Sequence, residues 1–185
     1  YGHGIECIAR LAHDAGATYV GVATVGEAAV LRDAGINGRI FLMATYDDED
    51  IEWLISNQID FSVWNLKQIE AVHERTRRTN LTAKLHLKVD TGMGRLGCFP
   101  EDASALIREI LARDGIDLVG LWTHFAKADS LDATFTEQQI EKFMPVAKEA
   151  SSLCDTVVVH ASNSPGAVLQ ERARFDLVRL GRVSE

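Results

Sequence analysis

Ala83-Lys84-Leu85-His86-Leu87-Lys88-Val89-Asp90-Thr91-Gly92-Met93-Gly94-Arg95 is the stretch from which the fold can be read. The run Ala83–Thr91 is short, apolar and rich in β-forming residues, so it reads as a buried strand. Its end carries Lys88 and Asp90, and two glycines then open a loop that presents Arg95. Runs of the same kind recur at Tyr19–Thr24, Arg39–Ala44, Asp60–Asn65, Asp117–Phe125, Asp155–Ser162 and Leu177–Gly181, which makes seven expected strands. Between them lie segments with helical period. Ala103, Leu106, Ile107, Ile110 and Leu111 share one helical face, with Gly115 as a stop. Ile51, Leu54 and Ile55 repeat that spacing, and a further helix is expected over Ile5–Ala15. Asn65 with Gln68, and Thr136 with Gln139, match capping boxes; Phe135 could staple against Ile140, and Pro145 should kink its helix by removing a backbone donor.

Strands joined by helices pair in parallel. A doubly wound sheet is one solution. A parallel (β/α)8 TIM-type barrel is the other, and it requires eight strands. The segment Tyr1–Gly4 then reads as the loop after a first strand that the chain lacks. Residues 1–185 contain no linker or low-complexity run and are expected to form one barrel domain.

Composition narrows the function. The net charge is −8, with 19 Lys plus Arg against 27 Asp plus Glu, which disfavours nucleic acid and anionic membranes as partners. No apolar run reaches the roughly 20 residues of a membrane span. Cys7, Cys98 and Cys154 are far apart and odd in number, so no disulfide framework is expected and a reducing cytoplasm is the natural compartment.

In a parallel barrel, chemistry gathers at the C-terminal ends of the strands. There the sequence places Lys88, Asp90, Arg95, His124, Asn163, Ser164 and Gly181, with Arg179 inside the last expected strand and Tyr1 after the absent one. Each has a plain structural reading as well. A strand-end histidine can simply be hydrogen-bonded, Gly92 and Gly94 can be a turn, and Ser164-Pro165 can be a helix start with Ser as N-cap and Pro at the first helical position. Arg179 is harder to explain away, because an arginine in an apolar strand must find an acceptor. Ser164-Pro165-Gly166-Ala167 would also aim the Gly166 and Ala167 N–H groups and the Ser164 hydroxyl at an anion, where barrel enzymes often hold phosphate.

Five stretches together carry a resemblance: Tyr1-Gly2-His3-Gly4; Leu87 to Gly97; Thr123-His124-Phe125-Ala126; His160-Ala161-Ser162-Asn163-Ser164; and Phe175 to Gly181. In order and spacing they resemble the alanine racemase family over almost the whole chain. The resemblance implies a fold-type III enzyme dependent on pyridoxal 5'-phosphate (PLP), in which a barrel is joined to a C-terminal β domain and two subunits pair head to tail. That β domain would lie outside this chain. By the same resemblance, Tyr1, Ser164 and the backbone N–H groups of Gly181 and Arg182 hold the cofactor phosphate, and Asn163 shapes that loop. Arg95 contacts the phenolic oxygen and the substrate carboxylate. Lys88 can be carbamylated and then orients Arg95, since a carbamate accepts hydrogen bonds from a guanidinium. His124 is linked by hydrogen bonds to Arg179.

The resemblance also places Arg179 against the pyridine nitrogen. A guanidinium donates without giving up its proton, so the ring would be a weaker electron sink than with a carboxylate partner, and racemisation would be favoured over transamination. The family's PLP lysine comes four residues before the position of Tyr1, and its second-base tyrosine lies in the C-terminal domain; both are expected outside this chain. After Gly181 the residues Arg182-Val183-Ser184-Glu185 depart from the family pattern of an apolar residue and then Tyr-Gly. The implied activity is two-base interconversion of L- and D-alanine, serving D-alanine biosynthesis, by a homodimer acting on a small amino acid, with no metal. A non-catalytic PLP carrier is the alternative, and a barrel fragment with no function of its own is a third.

Overall fold

The computed structural model describes residues 3–181, in which helices and strands alternate. The order is α1 (Ile5–Asp14), β1 (Tyr19–Val22), α2 (Val25–Asp33), β2 (Arg39–Leu42), α3 (Ile51–Ser56), β3 (Ile59–Val63), α4 (Leu66–Thr79), β4 (Ala83–Lys88), α5 (Pro100–Leu111), β5 (Ile116–Trp122), α6 (Thr134–Leu153), β6 (Val158–His160) and α7 (Ser164–Leu169). The strands form one sheet in chain order, and every neighbouring pair is parallel.

The sheet is curled. Tyr19 on β1 packs its ring edge-on to His86 on β4, with centroids 5.7 Å apart. Phe41 on β2 meets His160 on β6 at 5.6 Å. In a flat sheet three intervening strand spacings would separate the first pair by roughly 14 Å, and four would separate the second by roughly 19 Å. Only a half-barrel that folds its inner face on itself brings them together. The parallel barrel expected from the alternation is therefore present as six strands of a curled half-barrel. On its outer face Leu85, Leu87 and Val89 join Ile69, Ile107 and Ile140 of the helices in one hydrophobic cluster. Its inner face carries aromatic and polar groups.

The expected seventh strand at Leu177–Gly181 is a correction. The segment lies parallel to β6 but makes only one isolated bridge, between Leu177 and His160. The physical reason sits just before it. Phe175 adopts φ 44, and the Asp176 carboxylate accepts the Val159 N–H at 2.9 Å, taking the place of a ladder carbonyl. β1 and β3 also end sooner than expected, because the residues beyond them turn to cap helices. Thr24 and Glu27 form a complete capping box at α2, and Asn65 accepts the Gln68 N–H at 2.9 Å at α4. Thr136 does not cap α6. That helix begins at Thr134, so Thr136 lies inside it, fully buried. The helix continues through Pro145. No helix among the described residues is long and apolar enough to cross a membrane.

Candidate functional site

β4, β5 and the segment after β6 deliver their side chains to one rim. Lys88 is the last residue of β4 and is buried, with Nζ 4.1 Å from the centre of the Trp122 ring. Trp122 ends β5, and the Arg179 guanidinium carbon lies 4.8 Å from the same ring. One indole thus contacts two cations. Arg179 points inward and is held by three acceptors: His160 Nδ1 at 2.7 Å, the Thr123 carbonyl at 2.7 Å and the Ala161 carbonyl at 2.8 Å.

Arg95 stands on a loop that is fixed at both ends. The Asp90 N–H donates to the Cys98 carbonyl at 2.8 Å, and the Cys98 N–H to the Lys88 carbonyl at 3.0 Å. Gly97 has φ 131, and a Cβ there would lie 2.5 Å from the Asp90 nitrogen, so the return of the loop demands glycine. The Asp90 carboxylate accepts the N–H groups of Gly92 and Gly94 at 2.9 Å each, which ties it into the loop. Gln139 of α6 crosslinks this loop to the next one. Its Nε2 donates to Thr91 Oγ1 at 3.2 Å and to the His124 carbonyl at 3.1 Å, and its Oε1 accepts the Ala126 N–H at 2.9 Å.

The electrostatics show how closely these groups crowd. Burial, then the charges of Arg95 and Arg179, lower the Lys88 pKa to about 8, against an opposing pull from Asp90. Burial, then Arg179, Arg95 and Lys88, lower His124 to about 4. Burial lowers Arg179 to about 9, still cationic at neutral pH. A chain of net charge −8 has therefore gathered positive groups on one rim, with one carboxylate against Lys88 and none against His124 among the described residues. Uncompensated like charges in a concave site call for an anionic ligand.

Beside this rim, the helix start differs from expectation. The N-cap of α7 is Asn163, whose Oδ1 accepts the Gly166 N–H at 3.2 Å; Ser164 and Pro165 are already helical. The Ala167 N–H donates to the Asn163 carbonyl at 2.8 Å. Neither N–H is left for an anion, contrary to the expectation for Gly166 and Ala167. Asn163 also donates to the Phe125 carbonyl at 3.3 Å, so it does shape the loop. Ser164 is buried and its Oγ accepts the Gly181 N–H at 3.0 Å, which leaves its own hydroxyl proton free to donate.

Of the residues singled out from sequence, Lys88, Arg95, His124 and Arg179 share the rim, and Ser164, Asn163 and Gly181 form a second group joined by hydrogen bonds around α7. Tyr1 and Arg182 lie outside the described residues. The expected bond between His124 and Arg179 is replaced by one from Arg179 to His160, because the ring on β6 presents an acceptor nitrogen to the guanidinium. Trp122, His160, His86 and Gln139 were missed by sequence reasoning. A signal existed for two of them: His86 and Lys88, and likewise Trp122 and His124, are spaced by two, the strand period that puts side chains on one face.

Comparison with known proteins gives the site a context. A sequence model of the family described as "Alanine racemase, N-terminal domain" matches residues 1–184. The alanine racemase of Treponema pallidum is 37% identical over 188 residues, covering 98% of this chain and 50% of the relative. Among solved structures, the alanine racemase of Clostridium difficile in complex with cycloserine superposes with a TM-score of 0.92 at 30% identity, over 98% of this chain and 50% of that one. The enzyme of a D-cycloserine-producing Streptomyces lavendulae gives 0.88 at 36% identity, over 98% and 48%. The chain spans about half the length of the relatives it matches.

Proposed function

We propose, because this chain belongs to the alanine racemase family, that its protein interconverts L- and D-alanine with pyridoxal 5'-phosphate, as a cytoplasmic homodimer. The observation that carries the reading is the crowding of Lys88, Arg95, His124 and Arg179 on one rim with a single opposing carboxylate. A phosphorylated cofactor and an amino-acid carboxylate are the anions such a rim fits. The donor set agrees with that group: Arg179 can only donate, and Ser164 keeps a free hydroxyl proton.

When bound, the cofactor's conjugated ring supplies an electron sink for the pair left on the α-carbon. The chain's own residues do the rest. Ser164 would donate to the phosphate, on a loop that Asn163 holds, with the Arg182 N–H and the Tyr1 hydroxyl completing the cup in this reading; the Gly181 N–H, expected in that cup, is engaged by Ser164. Arg179 would donate to the ring nitrogen and keep its proton, which would limit how much charge the ring can take. Arg95 binds the substrate carboxylate and the phenolic oxygen. Lys88, with its amine lowered to about 8, has a neutral fraction able to attack CO2. The nitrogen bonds the carbon and loses a proton, and the carbamate formed accepts hydrogen bonds from Arg95. His124, held neutral by burial and then by its cationic neighbours, can hydrogen-bond without adding a charge. The lysine and tyrosine that exchange the α-proton lie, in this reading, before Tyr1 and in a partner subunit.

The test is borohydride reduction of the PLP-treated full-length protein with peptide mapping, beside alanine racemisation followed by circular dichroism. The reading expects a reduced lysine adduct and PLP-dependent loss of optical activity. Covalent PLP without racemisation of any amino acid would hand the protein to the carrier reading.

A further inference from the structure

Behind Arg179 runs a file of buried polar side chains that the proposed chemistry does not use. His160, on β6, faces Arg179 with Nδ1 at 2.7 Å. Its other nitrogen, Nε2, lies 3.0 Å from Nδ1 of His86 on β4. His86 Nε2 lies 3.7 Å from Oδ2 of Asp60 on β3, beyond hydrogen-bond range but facing the carboxylate, and it has no other partner. Asp60 in turn pairs with Arg39 of β2 at 2.8 Å. The two histidines are 1% exposed and Asp60 is 2% exposed.

The direction of this file follows from donor chemistry alone. A guanidinium has no acceptor, so Nδ1 of His160 must be bare and its proton must sit on Nε2. That proton points at His86 Nδ1, which must be bare as well, so the His86 proton sits on Nε2 and points at Asp60. Protonating either imidazole would set two donors against each other. Burial, the first cause in each case, lowers the pKa of both rings, so they stay neutral. Burial alone would raise the Asp60 carboxyl, but His86 and Arg39 hold it below its ordinary value. The other groups facing the file are Tyr19 and Phe41 against His86, and Trp122 and Phe41 against His160.

The backbone is shaped to allow it. The register between β4 and β5 slips between Leu85 and His86, so that His86 pairs with Gly120 and Val119 is bulged out. A Cβ on Gly120 would lie 1.9 Å from His86 Nδ1. Glycine at this position opens the lane through which the His86 ring reaches across β5 to β6.

We propose that Asp60 is a positioning residue for Arg179. Its carboxylate faces the far end of a one-way relay through His86 and His160, orients the His86 proton onto Nε2 so that Nδ1 is bare to accept from His160, and so holds the guanidinium in place as a donor. What this does for catalysis rests on the PLP reading of Arg179; the relay itself does not.

The experiment is 15N–1H correlation NMR of the histidine rings and the Arg179 side chain in the full-length protein, from pH 5 to 9, with and without PLP, on wild type and Asp60→Asn. Wild type is expected to show His86 and His160 as non-titrating Nε2–H rings. The Asn variant keeps the shape and removes the charge. It is expected to move the resonances of His160 and Arg179, which Asp60 does not touch, and to lower kcat about tenfold with KM nearly unchanged, the range that outer partners of directly bound groups carry. It should also shift the absorption maximum of bound PLP. A charged or Nδ1-protonated ring in wild type overturns the relay, and that measurement decides by itself should the variant not fold. An Asp60→Asn effect confined to His86 also overturns it. An intact relay in a protein that binds no PLP would instead overturn the functional reading and leave the relay standing.

Discussion

The inner face of the half-barrel holds charge in two ways. At its floor, Arg39 and Asp60 make a 2.8 Å ion pair, and the buried carboxylate also faces His86. At its C-terminal rim, Lys88, Arg95 and Arg179 stand together with Asp90 as their counter-charge, and that carboxylate is engaged by Gly92 and Gly94. The floor is electrostatically complete within the chain. Among the described residues, the rim has no second carboxylate set against its cations. Charges that neutralise each other internally organise a fold, whereas an unneutralised cluster of one sign marks where a ligand of the other sign belongs.

Three variants probe that contrast, in descending order of expected effect. Arg95→Ala should lower alanine turnover on the order of 100-fold or more, as loss of a donor to a charged reacting group does. Because Arg95 is exposed, unfolding stability should stay within about 0.5 kcal/mol of wild type. A large loss of stability in denaturant titrations would mean that the rim, too, is structural. Asp60→Ala should show the reverse weighting at the floor. Stability should fall by roughly 1–3 kcal/mol in urea unfolding, since the buried His86 loses the carboxylate it faces while the half-exposed Arg39 returns to water. A near-neutral change would remove the floor from the comparison.

Lys88→Met addresses the rim without a ligand, and its sign depends on pH. The Lys88 pKa is lowered in the fold from 10.5 to about 8. Between those values the unfolded chain binds more protons, so wild-type stability should rise as pH climbs through pH 8 to 10.5. Below pH 8 the full cost of the buried charge is present, roughly 3 kcal/mol by linkage. The Met variant should therefore melt higher than wild type at pH 7 and converge with it near pH 10.5. Added PLP should narrow the pH 7 gap by stabilising wild type. Parallel melting curves across that range would show that Lys88 already has a counter-charge.

Much of this was legible in the chain because alternation of period survives in parallel folds. Ala83–Lys88 and the other runs announced strands, and the resemblance gathered Lys88, Arg95, His124 and Arg179 before any geometry was known. What escaped was of three kinds. Asp60 lies near the start of β3 and His86 inside β4, and a search of C-terminal strand ends passes over both, although the two-residue spacing of His86 and Lys88 marks a shared face. Asn163 and Ser164 are both good caps one residue apart, and sequence has no means of choosing between them. Leu177–Gly181 has the composition of a strand, yet the side chain of Asp176 and the left-handed Phe175 replace its ladder, a decision made by tertiary contacts.

Strand order that follows chain order has a consequence for synthesis. Each strand pairs first with the one made just before it, so the sheet can be laid down vectorially as the polypeptide leaves the ribosome. The buried polar file cannot. His86 must wait 74 residues for His160, and Arg179 arrives later still. At typical elongation rates that interval is roughly 4–15 s. Over those seconds the nascent half-barrel carries an imidazole and a carboxylate facing a lane with no far end, and the hydration of that lane ends only when the segment carrying Arg179 docks against β6.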